Sequence, residues 1–554
     1  MADVKRKRLE ERDMQRIRLL LAMAVMASLL VIAVYLGSPY APVVGPVTDI
    51  EDVWAIEDAR TESETPLVTR LDNHGVPLAY DANSNTFYCT LGMNNAESWP
   101  DIHLHAPGAK GVSLLFADDY TYDFCNEAIR EGYAYQVMAY TETEYAYFDI
   151  VFTGMRQIHI VTEQEISKED VPAQVDVLDE NRVISSSARV HYRGGATMND
   201  PKHGLKIEFT RDSDGTHKID REVPVIGMTE NLALLPLYAD ETLMRDRLCW
   251  AMYADMVTLE QSFGERPVFY AEVFVNGSYE GIYLVMEPYD NAKELAKYTA
   301  ANPGTDSVYR VSWMRLGTER PTYPGVYVKS REFELYYTPP GARQFEDLKD
   351  YVELAQEEDD DMFAGKALAC MDIESVMRYM LLLQGAGMTD NVFNNMIVWA
   401  RHENGKVAYH FIPWDMDNSF GARSSRIGSE FDRWVYFPAA DRMLNLDVGG
   451  MRQRLYDMWR TLRADAWSLE NIEQRVNAYM TELNESGAAL RNAQRWELEV
   501  YVVDGYDLVS FVTTRFAILD QVLQKIAQHD GPVEMLEYTD YENRSRSMAP
   551  LIEF

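Results

Sequence analysis

The sequence predicts an α+β protein whose β-rich first half gives way to a helical second half. Two patterns carry that expectation. Apolar residues alternate with polar ones in short runs between turn residues over 66–165 and again over 180–290, the period of half-buried strands. From Ser375 onward they recur at three- and four-residue spacing, the period of amphipathic helices. The 554 residues allow two or three domains, and a 47% hydrophobic content suffices for substantial cores.

The first element is Leu19–Leu36, 18 mostly apolar positions, just long enough to cross a bilayer as a helix. Lys5, Arg6, Lys7, Arg8, Arg12, Arg16 and Arg18 precede it, so the positive-inside rule keeps residues 1–18 cytoplasmic and exports everything after Leu36. The run exceeds a signal-peptide core, and G-S-P-Y-A-P is a poor cleavage site. An uncleaved anchor is therefore expected, with the protein in the cell membrane and its bulk outside the cytoplasm. A proline-containing linker, 37–65, follows.

Residues 66–165, with V-S-L-L-F over Val112–Phe116 and Y-A-Y-F-D-I-V-F over Tyr145–Phe152, predict a small antiparallel β-sandwich. Its aromatic residues, including Trp99, Tyr120, Tyr122, Tyr133 and Tyr135, suit either sugar stacking or an ordinary β-domain core. The main domain is expected over 175–535, with 536–554 as a tail. Within it, 180–290 alternates strands with one helix, Asp240–Met256, and 300–345 turns to Gly, Pro and Tyr in hairpin-like segments. Helices are then read at Ser375–Gly385, within Met451–Ser486, and at Tyr506–Gln528.

Charge and cysteine content exclude several functions. With 88 acidic against 52 basic residues the net charge is −36, which repels nucleic acid and anionic surfaces and suits a basic partner or plain solubility. Cys89 and Cys125 stand close enough in sequence to pair in an oxidising exterior, whereas Cys249 and Cys370 read as buried thiols. No C-x2-C or H-x3-H pair suggests zinc.

The chemistry concentrates between Thr389 and Gly421. T-D-N-V-F-N-N places Asp390 and Asn395 in a D-x4-N relation, and F-I-P-W-D-M-D-N-S-F-G follows with Asp415 and Asp417. Phosphoryl transfer needs hard oxygen ligands for Mg²⁺ and a separate carboxylate to accept a hydroxyl proton, and the D-x4-N spacing is that of a protein-kinase catalytic loop. Other readings of the same residues remain open. Asp390 in T-D-N also suits a helix N-cap, Asp415 and Asp417 suit a turn, and D-M-D is the D-x-D with which glycosyltransferases hold a metal and a nucleotide sugar.

Four blocks together resemble the CotH family, bacterial spore-coat and surface proteins with an atypical protein-kinase fold. They are R-G-G-A-T-M-N-D-P-K-H-G-L-K-I-E-F from Arg193 to Phe209, L-Y-A-D-E-T-L-M-R-D-R-L from Leu237 to Leu248, Y-A-E-V-F-V-N-G-S-Y-E-G-I-Y-L-V-M-E from Tyr270 to Glu287, and the acid-rich pair above. The match in order and spacing runs over roughly residues 180 to 480.

The resemblance implies a two-lobed kinase-like fold, with a β-rich nucleotide lobe and an α-rich catalytic lobe. It implies ATP with Mg²⁺ or Mn²⁺, and transfer to Ser or Thr of a cell-surface or spore-coat protein. By the same resemblance Lys206 holds nucleotide phosphates, with Lys202 as a substitute, and Arg193, Gly194, Gly195 and Thr197 form the phosphate-approaching loop. Glu287 ends the strand that meets the adenine. Asp390 is the catalytic acid, Asn395 and Asp415 bind metal, and Asp417 is an added ligand. Two departures stand out: relatives commonly carry R-G-x-S-S where this chain has R-G-G-A-T, and G-M-T-D replaces the H-R-D of ordinary kinases. The first of these also motivates a non-catalytic reading, a surface or coat assembly module that keeps the fold without turnover.

Overall fold

A computed structural model describes residues 50–549 apart from 91–101, 103, 118–130, 180–181, 213–214, 259–265, 290–291, 300–301, 303, 312–332, 339–345, 356, 358, 393, 423–430, 432–433, 436 and 530–547. The expected anchor at 19–36, its basic flank, Trp99, Tyr120, Tyr122 and Cys125 lie outside the described residues. Among the described residues no helix is long and apolar enough to cross a membrane. The chain divides into two units, Met1–Thr153 and Gly154–Phe554.

In the first unit a mixed sheet runs in the order Ala79–Asp81, Thr86–Cys89, Glu144–Phe152, Ala134–Tyr140 and Ser113–Phe116, with Thr61–Glu62 added beside Glu144–Phe152. Thr86–Cys89 and Thr61–Glu62 pair parallel to Glu144–Phe152, so the sheet is not purely antiparallel. Asp72–Asn73, Val76–Pro77 and Leu104–His105 make a second small sheet. Leu71 and Leu104 join Phe87, Phe116, Tyr135, Phe148 and Phe152 in one core. Tyr135 is fully buried there as a core aromatic, and the partly buried Tyr133 packs edge-on against it at 4.8 Å. Cys89 is buried in the same core. The expected linker contains a helix, Ile50–Asp58, whose Val53 is buried with Ala117 and Met138.

In the second unit seven strands close a barrel: Arg156–Val161, Val171–Asp179, Arg182–Arg193, Gly204–Thr210, Asn231–Leu235, Ser278–Met286 and Phe269–Val275. The last pairs in parallel with the first, which removes both sheet edges. Arg156–Val161, grouped by its sequence with the preceding β-sandwich, is thus a barrel strand. Only Thr153–Met155 separate it from the strand ending at Phe152, and so short a join gives no linker signal. Side chains alternate as the pleat requires. Leu205, Ile207, Leu232, Leu234, Ala271, Val273 and Val285 fill the interior, while Ala233, Tyr270, Ile282, Leu284 and Met286 face outward into a larger core shared with the helices.

That larger core centres on helix Ile373–Ala386, buried from Ser375 to Ala386. A helix apolar all round belongs in an interior, and burying each of Leu381, Leu382 and Leu383 contributes about 2 kcal/mol. Helices Arg245–Thr258, Met451–Ala464 and Tyr506–Gln528 pack on it. A four-stranded sheet adds Phe333–Tyr337, Ser307–Val311, Met396–Glu403 and Lys406–Pro413. Helix Ala488–Trp496 closes back on the barrel: Trp496 Nε1 donates to Glu280 O at 3.0 Å and Arg495 Nε to Tyr279 O at 2.6 Å.

Candidate active site

A hairpin brings the two acid-bearing motifs together. Strands Met396–Glu403 and Lys406–Pro413 pair from Met396↔Pro413 to Glu403↔Lys406, around Asn404 and Gly405 with φ of 52° and 76°. Positive φ at both turn residues matches the strand twist of a tight hairpin. Asn395, just before the hairpin, and Trp414, just after it, therefore meet, and the Trp414 amide donates to Asn395 O at 3.1 Å. Asn391, fully buried, ties the junction: its Nδ2 donates to Trp414 O at 2.7 Å and to Asn395 O at 3.0 Å. Its Oδ1 is buried without a hydrogen-bond partner.

Asp390 follows the left-handed C-cap of helix Ile373–Ala386, Gly387 at φ 65°. It does not cap a helix start; Asp372 does that, accepting from the Ser375 amide at 2.7 Å. Asp390 Oδ2 instead accepts from Asn395 Nδ2 at 2.9 Å and from Asn394 Nδ2 at 3.4 Å. Tyr379 Oη, on the buried helix, donates to Asn391 O at 2.6 Å and fixes this loop to the core.

Asp415 and Asp417 lie on the turn beyond the hairpin. Asn395, Asp415 and Phe420 all adopt left-handed backbone, at φ 50°, 55° and 47°, a conformation that persists in non-glycine residues only where the surroundings impose it. Asp246, on helix Arg245–Thr258, accepts the Met416 amide between the two acids at 3.0 Å. Burial, and then the Asp415 carboxylate beside it, push the Asp246 carboxyl up to about 8, against the pull of the Met416 N–H and Arg193. Burial and the neighbours Asp415, Asp246, Asp240 and Asp390 likewise push Asp417 well above the carboxylate range. These are acids gathered in one place with too little positive charge among them.

Arg193 ends its barrel strand with its guanidinium 5.2 Å from the Trp414 ring centre, next to the acids. Gly194, at φ 134°, has no room for a side chain: a Cβ would stand 2.2 Å from Thr197 Oγ1. Around Gly195, by contrast, a Cβ would meet nothing within 4 Å. Thr197 sits in the single 3₁₀ turn Ala196–Asn199 that follows. The R-G-G-A-T loop thus presents open backbone on the Arg193 side of the site.

Residues 190–519, more than half of the chain, match the family described as CotH kinase protein. The chain belongs to the CotH family. No curated protein matches it. Within this CotH frame the structure brings together Asp390, Asn395, Asp415, Asp417 and Arg193, and gives Lys206, Lys202 and Glu287 protein partners of their own.

Lys206 faces out of the barrel on the side where its cross-strand neighbour Ala233 enters the helical core. Its Nζ lies 3.2 Å from Glu208 Oε1, two residues along the same strand. Burial opposes ionisation of Glu208, but Lys218 and Lys206 outweigh it and hold that carboxyl down at about 2. Lys202, the substitute, is fully buried, its Nζ 2.5 Å from Ile282 O and 2.8 Å from Asn492 Oδ1. It ties the barrel to helix Ala488–Trp496 through Asn492. Glu287 is buried and ion-paired to Lys297.

Sequence reading missed Asp246 and Asn391. Both lie inside blocks already singled out, so the signal was present as sequence neighbourhood but not as chemistry.

Among the described residues no three His, Cys, Asp or Glu side chains form a ready metal cage. Mg²⁺ rarely uses one; it takes one or two carboxylates and completes its shell with water and phosphate oxygens. Asp415, Asp417 and Asn395 supply hard oxygens of that kind, and the mutual repulsion of Asp246, Asp415 and Asp417 is what a divalent cation would relieve.

Proposed function

We propose that this CotH family member is an atypical protein kinase that moves the γ-phosphoryl group of ATP to a Ser or Thr hydroxyl of a protein. The barrel serves as the nucleotide lobe and the helical part as the catalytic lobe, with the cleft between Arg193 and the Asp390–Asp415 junction. The observation that carries this reading is the Asn395–Asp390 hydrogen bond beside the crowded carboxylates of Asp415, Asp417 and Asp246.

In this reading Asp390 accepts the proton of the attacking hydroxyl. Asn395 spends its amide nitrogen on Asp390 and so orients the carboxylate while leaving its own carbonyl oxygen for a cation. Asn395, Asp415 and Asp417 would hold Mg²⁺ or Mn²⁺, which when bound supplies neutralisation of phosphate charge. Arg193 and the open backbone at Gly195 receive the phosphates, Lys206 adds a positive charge on the outer face of the barrel, and Thr197 offers the one hydroxyl of the loop. Substrates are basic segments of cell-surface or coat proteins, favoured by the net charge of −36. The apolar run Leu19–Leu36 with its basic flank supports a single-pass anchor with the catalytic part outside the cytoplasm.

Thermal-shift titration separates this reading from a D-x-D glycosyltransferase. Stabilisation by ATP that requires Mg²⁺ or Mn²⁺, with none from UDP-sugars, is expected. Stabilisation by nucleotide sugars alone would replace the kinase reading.

A further inference from the structure

We propose that the first turn of helix Arg245–Thr258 is the device that sets the acid-bearing turn, with Asp246 as its positioning residue. This rests on reading Asp415 and Asp417 as the metal-binding side of the site. An aspartate in the first turn of a helix ordinarily serves its own helix, accepting amides there or meeting the positive end of the dipole. Asp246 is 2% exposed and instead accepts the amide of Met416, 170 residues away, at 3.0 Å. That amide lies between Asp415 and Asp417, directly after a left-handed residue. With no strand partner there, it needs an acceptor from elsewhere.

The grip has a second and a third point. Arg245 Nε donates to Ser419 O at 3.1 Å, and one turn further along the helix Cys249 Sγ lies 3.4 Å from Ser419 Oγ. The helix start is itself held. Asp240 accepts the Arg245 amide at 2.9 Å and is ion-paired to its guanidinium, and the Tyr270 hydroxyl on the barrel hairpin donates to Leu243 O at 2.7 Å. A continuous path therefore runs from a barrel strand through residues 240–246 to the turn that carries Asp415. Asp246 acts through the backbone of that turn, so an uncharged acceptor of the same shape should serve in its place.

The test uses the full-length chain with Asp246→Ala and Asp246→Asn. Hydrogen–deuterium exchange at the Met416 amide is read alongside the Mn²⁺ concentration that half-saturates ATP-driven phosphate incorporation. Asp246→Ala is expected to unprotect the amide and raise the Mn²⁺ requirement by about 10- to 100-fold, the usual cost of removing a support behind metal ligands. Asp246→Asn is expected to keep the amide protected and stay within a few-fold of wild type. An unchanged Met416 amide in Asp246→Ala overturns the proposal. So does an Asp246→Asn as impaired as Asp246→Ala while its amide stays protected, because charge would then be the point. If wild type incorporates no phosphate, the kinase reading fails, and the exchange measurement alone decides whether Asp246 holds the turn.

Discussion

The side-chain amide of Asn395 donates to Asp390 Oδ2 at 2.9 Å, so the two ends of the D-x4-N spacing form one hydrogen-bonded unit. If Asp390 is the base, Asp390→Asn should lower kcat by about 10²- to 10⁴-fold. The variant should keep its metal-dependent thermal stabilisation by ATP, because the ligand oxygens remain. Loss of nucleotide binding along with turnover would assign Asp390 to binding instead. Steady-state kinetics beside thermal shift checks both.

The two glycines of the R-G-G-A-T loop should respond in opposite ways. Gly194→Ala places a Cβ 2.2 Å from Thr197 Oγ1 at φ 134°, so it should destabilise the protein, by about 1–3 kcal/mol. Gly195→Ala meets nothing within 4 Å and should unfold at the wild-type temperature. Yet it should weaken ATP binding if the phosphates approach that backbone. Wild-type ATP affinity in Gly195→Ala would move the phosphate site elsewhere.

The two lysines separate in the same manner. Lys202→Met removes the buried donor to Ile282 O and Asn492 Oδ1, the latter keeping only the Ile282 amide, and should cost about 1–3 kcal/mol of stability. Lys206→Met removes a partly exposed partner of Glu208, which keeps Lys218. It should change stability little and raise the KM for ATP. Denaturant melts and ATP titration distinguish the two outcomes.

Cation binding should strengthen as pH rises. The Asp246 carboxyl, pushed up to about 8 by burial and by Asp415, holds its proton more tightly in the folded chain than in the unfolded one. Its stabilising contribution is complete below about pH 4 and is lost as pH rises through about 8. A divalent cation held by Asp415 and Asp417 favours the ionised form of the neighbouring carboxyl, so Mg²⁺ affinity should climb modestly between about pH 6 and about pH 8.5 with proton release. Calorimetry in buffers of different ionisation heat reads this directly. Asp246→Asn should flatten part of the slope, and Asp417 should carry the rest.

The long amphipathic elements were legible because their signals are local. Tyr506–Gln528 was read at both ends from apolar spacing alone. Helix Arg245–Thr258 was read as starting at Asp240, and the reason is also local. Asp240 Oδ1 accepts the Thr242 amide at 2.9 Å in a side-chain turn, and Leu243 is left-handed at φ 58°, so the helix begins after both. The strand Arg156–Val161 could not be assigned, since closing the barrel depends on its pairing with Phe269–Val275, far along the chain. At the site, Asp390, Asn395 and Asp415 were visible because residue type and spacing carry their chemistry. Asp246 was not, since a helical acid becomes part of a site only through a partner 170 residues away. The pairing of Lys206 with Glu208 was equally silent, because i, i+2 on a strand says only that the two share a face.

The central claim is tested most directly by intact-mass spectrometry of the chain, and of added basic test proteins, after incubation with ATP and Mg²⁺ or Mn²⁺. Wild type and Asp415→Ala would be compared. Mass gains of about 80 Da per phosphate in wild type, absent in Asp415→Ala, are the predicted result. A folded wild type that gains no mass with either metal would contradict phosphoryl transfer and leave a CotH family member that binds or assembles without turnover.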